Sequence, residues 1–442
     1  MLRKMSLLFA GALMGATAMS LVYYSPGSSA NAASSDTYKQ LSIFGDIFER
    51  VRNTYVTPPD EKSLVSNAIN GMLTSLDPHS SYMDAAAAQD MRVQTKGEFG
   101  GLGIEVTMEN ELVKVIAPID DTPAAKAGVR GGDYISQING EEVRGLTLEQ
   151  AVDKMRGAVN TPIDLTLIRE KAPKPIKLTI VRDVIKVKAV KFRVEGDVGY
   201  LRVISFTEKT FDDLDAAITT IKKEIPADKL KGFILDLRLN PGGLLDQAVS
   251  VSDTFLERGE VVSTRGRDPQ NVNRFEARAG DSIDGKPLIV MVNGGSASAS
   301  EIVAGALQDH HRATVLGTRS FGKGSVQTII PLGEDIGSLR LTTALYYTPA
   351  GKSIQGKGIV PDIKVEQPLP EEFKDADVTR GESDLKGHIK GKQETDEGSG
   401  SNAYVPPETK DDVQLAAALK LLRGETKDPA FPADPTKDTL PN

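Results

Sequence analysis

The chain has 442 residues, of which 39% are hydrophobic and 26% charged, a composition typical of a globular protein with two or three domains. Its net charge of −8 argues against a basic nucleic-acid-binding surface, so we expect no nucleic-acid partner. The absence of cysteine excludes disulfides, cysteine-ligated zinc and a thiol nucleophile.

The first 32 residues have the features of a secretory signal. Arg3 and Lys4 precede an uncharged apolar run over residues 5–23, and a small-x-small cleavage pattern ends at Ala32. Because the apolar run is long, an uncleaved anchor in the inner membrane is the alternative. In both cases we expect the working part of the chain to be exported, either periplasmic or on the outer face of the inner membrane.

Residues 36–96 are predicted to form an N-terminal helical region. Apolar residues recur at helical spacing from Leu41 to Val51 and again from Leu64 to Leu76, and a Pro-Pro turn separates the two stretches. Each helix would have an apolar face that either caps the next domain or pairs between subunits.

Residues 97–183 differ, because Gly-rich turns separate short strands and only two short helices fit between them. This pattern predicts a small β-rich domain. From 184 to 365, apolar strands alternate with helices, which predicts a layered α/β core with its site at the carboxyl ends of strands. Residues 366–442 are rich in proline, glycine and charge, so we predict a largely disordered tail with a short helix at 413–422.

A candidate nucleophile lies in the tight turn at 293–301, where an apolar strand leads into a helix. The turn contains three serines, Ser296, Ser298 and Ser300. Such a turn holds a hydroxyl rigidly, and the backbone N–H groups at the helix start favour the negative charge of a tetrahedral intermediate. The same residues also suit an ordinary helix cap, so the turn alone does not establish catalysis.

A serine nucleophile needs a base, and the four histidines are poorly placed for that role. His79 lies in an Asp-Pro-His turn and His388 in the predicted tail. His310 and His311 end the helix that starts at the serine turn, about 15 Å away at the rise of an α-helix. A Ser-His-Asp triad is therefore poorly supported.

Lys323 is the other candidate base. Glycines flank it, and burial in an apolar pocket would lower the pKa of its amine enough for it to accept a proton. Gln327, four residues later on a predicted strand, would point to the same face and orient the amine. The alternatives are a solvated hairpin or a phosphate loop, but glycine follows Lys323 where a Walker motif requires Ser or Thr.

Four segments in this order, 236–243, 295–301, 321–327 and 347–362, resemble those of the S41 carboxyl-terminal processing peptidases, or tail-specific proteases. The resemblance covers about residues 40–365. It implies an α/β (α+β) multidomain protein with a layered serine-protease core of the ClpP/crotonase-like type over 184–365. It places the nucleophile on Ser298, the general base on Lys323 and the supporting glutamine on Gln327.

The same resemblance implies further site residues. The oxyanion would be bound by the backbone N–H groups of Ala299, Gly242 and Gly243. Asp309 matches an acidic position of the family near the site, where we expect a structural role. The domain at 97–183 resembles a PDZ domain inserted before the core.

The carboxylate-binding loop of this PDZ domain would be formed by Gly101, Leu102, Gly103 and Ile104, and an extended peptide would add to the strand that follows. Arg156 closes the second helix of the domain. We predict a regulatory contact between Arg156 and the protease core; a solvated cation at a helix end is the alternative.

These features together predict an exported serine endopeptidase that cleaves flexible or misfolded proteins recognised through their C-terminus, without a metal or organic cofactor. Expected partners are such substrates, an adaptor protein and further copies of the chain. One alternative is a non-catalytic PDZ scaffold that binds protein C-termini. The other is a hydrolase of a non-peptide acyl compound such as an acyl-CoA, which would need a nucleotide pocket.

Overall fold

The computed structural model describes residues 35–119, 121–170, 172–268, 270–371, 379–390, 398, 400–438 and 440. The predicted signal over 1–32 lies outside these residues. The chain divides into two compact units, residues 1–68 and 69–442. Among the described residues, no helix combines the length and apolar character needed to span a bilayer.

The first unit is helical where it is described. Helix α1 spans Ser35–Thr54, and α2 spans Glu61–Thr74 and so ends in the second unit. The two prolines between them cannot continue a helix, which separates α1 from α2. Leu41, Phe44 and Ile47 lie exposed on α1, as expected for an amphipathic helix with an apolar face.

The predicted helical region at 36–96 also contains a strand, which corrects the all-helical prediction. Strand β1 spans Ser81–Met83 and pairs with a strand of the core. Helix α3 follows at Ala85–Lys96; the Asp84 side chain caps its start and Gly97, at φ 69°, ends it. The Asp-Pro-His turn before β1 is thereby held against the core rather than within a helix.

The β-rich domain contains a five-strand antiparallel path in the order β3-β4-β5-β7-β8, with β6 paired to β5. Its core is apolar, and the capping box of Thr147 and Gln150 starts α5. The ladder of β2 with β9 joins the two ends of the domain. The elements are β2 Glu98–Gly101, β3 Ile104–Glu109, β4 Leu112–Pro118, α4 Pro123–Lys126, β5 Tyr134–Ile138, β6 Glu141–Glu142, α5 Leu148–Met155, β7 Pro162–Ile168, β8 Ile176–Val181 and β9 Asp183–Lys186.

The layered core contains a six-stranded sheet in the order β10-β11-β12-β15-β16-β19, parallel except for the edge strand β10. Both faces are covered, so β12 and β15 are buried along their whole length and read as continuous apolar runs. The elements are β10 Val190–Glu195, β11 Val198–Val203, α6 Thr210–Glu224, β12 Gly232–Asp236, α7 Leu245–Asp253, β15 Leu288–Val292, α8 Ala299–Asp309, β16 Thr314–Gly317 and β19 Ile363–Lys364.

A second, antiparallel sheet lies beside this core in the order β1-β18-β13-β14, with β17 paired to β18. Its strands are β13 Glu260–Gly266, β14 Val272–Glu276, β17 Ser325–Gly333 and β18 Gly337–Tyr347. Because β17 begins two residues after Lys323, this sheet fixes the loop that carries the predicted base.

The tail beyond residue 365 is folded wherever the structure describes it, which corrects the prediction of disorder. Strands β20 (Thr379–Arg380) and β21 (Ser401–Asn402) pair, and helix α9 spans Val413–Leu422. Leucines of α9 cover the face of the six-stranded sheet opposite α6, α7 and α8. Composition misled here because the tail packs with few apolar residues and with buried polar groups such as Glu382 and Asp412.

A buried ion network fastens this tail to the core. The guanidinium of Arg238, 1% exposed, lies 2.7 Å from a carboxylate oxygen of Asp236 and 2.7 Å from one of Asp412. Asp412 also caps α9, accepting the Leu415 N–H at 2.9 Å. Desolvation opposes the buried charges, but the two carboxylates outweigh it and raise the pKa of Arg238.

We expect Asp412→Ala to lower the free energy of unfolding by about 3 kcal/mol, because it leaves part of a buried cation unpaired and removes a helix cap. Urea titration followed by circular dichroism measures the change. Asp411→Ala, an exposed neighbour, is the matched control and should stay within about 0.5 kcal/mol of wild type. Equal urea midpoints for the two variants would contradict a stabilising role of Asp412.

Candidate active site

The three serines of the turn before α8 differ in their hydrogen bonds. The Ser296 hydroxyl donates to Leu237 O at 2.8 Å, and the Ser300 hydroxyl donates to Asn240 O at 2.9 Å. Within the described residues, the Ser298 hydroxyl donates to no acceptor. Only Ser298 therefore has a hydroxyl that is free to react.

Ser298 is held in an unusual backbone conformation, with φ 56° and ψ −113°, as the residue that caps α8. A non-glycine residue at positive φ costs free energy and persists only where its surroundings impose the conformation. Its side chain is 7% exposed, and its N–H donates to Glu301 Oε2 at 2.8 Å. The hydroxyl is thus presented from a rigid turn.

Gly242 packs directly against this serine. A Cβ at Gly242 would lie 2.8 Å from the Ser298 Cβ and 3.0 Å from the Ala299 nitrogen, so only glycine fits there. The Gly242 N–H donates to Asn240 Oδ1 at 2.9 Å in this structure, so its predicted role as an oxyanion donor would require this hydrogen bond to break. Among the described residues, the N–H groups of Ala299 and Gly243 have no acceptor, so these two are available for the predicted binding of an oxyanion.

Glu301 connects the serine turn to the lysine loop. Its fully buried carboxylate accepts the N–H of Ser298 at 2.8 Å and that of Lys323 at 2.9 Å on one oxygen. The other oxygen accepts the Gly322 N–H at 2.6 Å and the Ser320 hydroxyl at 2.5 Å. Burial raises the pKa of Glu301 to about 7, although the four hydrogen bonds oppose the rise.

Glu301 is a site residue that the sequence pattern did not predict, since the turn at 293–301 is equally typical of an ordinary helix start. A signal was present, because Ser-x-x-Glu is a capping-box pattern in which the glutamate side chain reaches back to the N-cap N–H. The same carboxylate also accepts hydrogen bonds from the lysine loop. These bonds join residues 21 and 22 positions apart in the chain, so no local sequence pattern predicts them.

The amine of Lys323 makes no hydrogen bond within the described residues, and none joins it to the Ser298 hydroxyl. Desolvation and the nearby cation Arg340 lower the pKa of Lys323 to about 8, against the carboxylates of Glu382, Glu301 and Asp77. About a tenth of the amine is therefore uncharged at pH 7, compared with less than about a thousandth for an ordinary lysine, and the uncharged form is the one that a base requires.

Gln327 does not bond to Lys323 in this structure. Its amide donates to the Ser325 hydroxyl at 2.9 Å and the Thr342 hydroxyl at 3.2 Å, and Thr342 donates to Asp77 at 3.1 Å. Gln327 therefore ties the strand after the base to the Asp-Pro-His turn. Because both bonds use its amide nitrogen, the predicted role in orienting the amine would fall to Gln327 Oε1, which can accept a hydrogen bond from the amine.

The tail supports the lysine loop from outside. The buried Glu382 donates its N–H to Phe321 O at 2.9 Å, and its carboxylate accepts Nε2 of His79 at 2.8 Å and of Gln355 at 2.9 Å. Gln355 in turn accepts the Gly324 N–H at 2.9 Å. The loop is thus fixed on both sides of Lys323 by residues that the sequence-based analysis did not single out.

Asp309 lies at the far end of α8, about 16 Å from Ser298 along the helix. Its carboxylate accepts the Ala350 N–H at 3.0 Å and approaches the Lys352 amine at 3.4 Å. Asp309 therefore holds the loop after β18 and has no direct part in the site, in line with the structural role expected for it.

The predicted carboxylate-binding loop lies between β2 and β3. Gly101 ends β2, Leu102 is buried in the core of the domain, and Ile104 begins β3. Gly103 has φ 76° and packs on Thr122, where a Cβ would come within 2.3 Å. The N–H groups of Leu102 and Gly103 donate to no acceptor in the described part of the chain, so they are available to a peptide carboxylate.

Arg156, whose side chain is 32% exposed, contacts residues outside its own helix. Its guanidinium lies 3.1 Å from Asp90 on α3 and 5.2 Å from the ring centroid of Phe99 on β2. Its Nε is buried without a hydrogen-bond partner among the described residues. The structure thus places Arg156 against the segment that leads into the β-rich domain, away from the lysine loop.

Comparison with known proteins identifies three family models along the chain. Residues 197–365 match peptidase family S41, residues 114–169 match the PDZ domain, and residues 9–87 match the N-terminal domain of the activating protease CtpB.

A carboxy-terminal-processing protease of Bartonella bacilliformis is 67% identical over 437 residues, which cover 99% of this chain and 100% of that protein. A probable CtpA-like serine protease of Staphylococcus epidermidis is 37% identical over 326 residues, covering 73% of this chain and 65% of that one. Among solved structures, a photosystem II D1 C-terminal processing protease is 30% identical with a TM-score of 0.42, covering 75% of this chain and 95% of that chain.

We expect Glu301→Gln to slow labelling of Ser298 by a fluorophosphonate about 100-fold, because an amide NH₂ would face an N–H or O–H donor and displace the turn or the loop. Mass spectrometry of the labelled peptide measures the rate. Glu224→Gln, at an exposed helix end, is the control and should label like wild type. Wild-type labelling of the Glu301 variant would show that the carboxylate does not position Ser298.

Proposed function

The chain belongs to the carboxy-terminal-processing serine proteases of peptidase family S41, and from this premise we propose that it is an exported endopeptidase acting through Ser298 and Lys323. Its substrates are flexible or misfolded proteins, recognised through their free C-terminus by the PDZ domain. One observation carries the proposal: a single buried carboxylate, that of Glu301, holds the N–H groups of both Ser298 and Lys323.

The mechanism follows from the groups around Ser298. The neutral Lys323 amine accepts the Ser298 proton as Oγ attacks the peptide carbonyl, and the N–H groups of Ala299 and Gly243 bind the oxyanion. The protonated amine then gives its proton to the leaving amine, and water hydrolyses the serine ester. Because the hydroxyl and the amine are not bonded in this structure, the two must close on each other before the first step.

The PDZ domain has a binding place for the substrate C-terminus, and peptide bound there would favour the approach of the Ser298 hydroxyl to the Lys323 amine. Strand β3 is an edge strand, and the free N–H groups of Leu102 and Gly103 lie at its start. A substrate adds to β3 as a further strand with its carboxylate on these N–H groups. Arg156 ends a helix of the domain and binds Asp90 on α3. If peptide binding moves that helix, the Arg156–Asp90 contact breaks, and the change reaches α3 outside the PDZ domain.

The leader over 1–32 is proposed to carry the chain out of the cytoplasm and, if retained, to keep it at the outer face of the inner membrane. An adaptor and further copies of the chain are proposed partners. Fractionation of cells that express a tagged chain tests the location, since recovery in the cytoplasmic fraction would contradict export.

We expect wild type to cleave an unstructured peptide with a free C-terminus at least about 10-fold faster than the same peptide amidated, because the amide removes the charge that the loop binds. Ser298→Ala and Lys323→Ala should reduce kcat by about 10⁴-fold or more. Chromatographic assay of the fragments measures both. Wild type and Ser298→Ala with equally absent cleavage would instead favour a C-terminus-binding scaffold.

A third variant in the same assay separates binding from regulation. We expect Arg156→Ala to cleave the free and the amidated peptide at similar rates while still binding the free peptide with wild-type affinity. Fluorescence polarisation of a labelled peptide checks the binding, and an unchanged advantage in this variant would remove Arg156 from the regulatory proposal.

We expect kcat/KM to rise about 5-fold from pH 7 to pH 8 and to level above about pH 9, because the base must be unprotonated and the pKa of Lys323 is about 8. The rate rises with pH because the Lys323 ammonium loses its proton as the pH rises and so becomes able to act as a base. Initial rates between pH 6 and 9.5 measure the profile. Peptide binding to Ser298→Ala over the same range is the control, and a rate independent of pH would argue against Lys323 as the base.

A further inference from the structure

We propose that an arginine-lined groove beside the lysine loop binds an acidic side chain of the substrate, so that the enzyme prefers Asp or Glu near the cleaved bond. The proposal rests on the peptidase function proposed above. It adds a second point of recognition, separate from the PDZ loop, and assigns it a ligand class, the carboxylate of a peptide side chain.

The groove lies on the antiparallel sheet and has a cavity volume of about 890 Å³. Its walls come from β13, β14 and β18, the loop after β18, and Ile389 of the tail. No Asp or Glu belongs to the described lining, whereas three arginines do, namely Arg265, Arg267 and Arg274. In a chain of net charge −8, this is a local concentration of positive charge.

Two of the three guanidinium groups are not neutralised within the described part of the chain. Arg274 pairs with Glu260. Arg265 and Arg267 have no ion pair there, and the Nε of Arg265 is buried without a hydrogen-bond partner. Guanidinium groups without an ion pair at the lining of the groove attract an anion such as a carboxylate.

The geometry of Arg265 suits a carboxylate. Its guanidinium lies 4.1 Å from the ring centroid of Tyr347, so stacking holds the planar group and leaves its edge for paired hydrogen bonds. Apolar residues complete the lining, including Val272, Leu345 and Ile389. An extended peptide with an acidic residue among apolar ones matches this combination better than a small inorganic anion.

The groove is adjacent to the catalytic lysine. Leu345 of its wall lies opposite Ser325 in the β17–β18 ladder, two residues after Lys323. The next residue, Tyr346, donates its N–H to Gly324 O at 2.7 Å. A peptide that places its backbone at Ser298 can therefore reach the groove with a side chain a few residues from the cleaved bond.

The test is a set of peptides with one C-terminal sequence, in which a single Glu is moved along the cleaved region and compared with Gln at the same position. We expect Glu to raise kcat/KM about 10-fold or more at one or two adjacent positions, mainly through KM, with the ratio falling toward one in high salt. Quantified fragments give the ratio.

Arg265→Gln and Arg267→Gln should each lower this Glu/Gln ratio by about 5-fold or more. Arg193→Gln is the matched control, because Arg193 also stacks on a tyrosine, Tyr200 at 3.8 Å, but lies on β10, away from the groove. This control should keep the wild-type ratio. Where an arginine variant does not fold, the salt dependence of the wild-type ratio decides.

Cleavage with the same rate for Glu and Gln at every position would overturn the groove proposal and leave the proposed peptidase intact. A Glu preference that survives both arginine substitutions would overturn it as well. Absence of cleavage for every peptide would instead contradict the peptidase function itself, so the two failures are distinguishable.

Discussion

The site depends on one buried carboxylate that serves two loops. Glu301 is the N-terminal cap partner of α8 and, at the same time, the acceptor for the loop that carries Lys323. A buried carboxylate is stable only when hydrogen-bond donors surround its oxygens. The donors of Glu301 come from both the serine turn and the lysine loop, so each segment stabilises the position of the other. The bonds to Glu301 therefore fix the backbone of Ser298 relative to that of Lys323, while the two side chains can still move toward each other.

The surrounding fold provides the rigidity that this arrangement needs. Parallel strands buried on both faces bring the turn before α8 and the turn after β12 to one edge, where Gly242 lies against Ser298. The antiparallel sheet holds the other side of the lysine loop through β17. The second face of the parallel sheet is closed by α9, so the tail belongs to the core both in its packing and in its ion network.

Much of this architecture could be predicted from sequence. The strands of the β-rich domain and the alternation of strand and helix after it follow from local periodicity, which is where sequence patterns are reliable. The free hydroxyl of Ser298 and the tail's role could not be predicted in the same way. Both depend on contacts between distant parts of the chain, such as Ser300 with Asn240 or Glu382 with His79, and composition alone made the tail look disordered.

The position of the tail also bears on when the enzyme can work. Ser298 and Lys323 are synthesised well before Glu382 and Ser401, whose backbone and side chains brace the lysine loop through Phe321 and Arg319. A chain emerging from the ribosome would contain Ser298 and Lys323 before the residues that support the lysine loop. The loop that carries Lys323 would therefore gain these hydrogen bonds only after the tail has been made and has packed on the core.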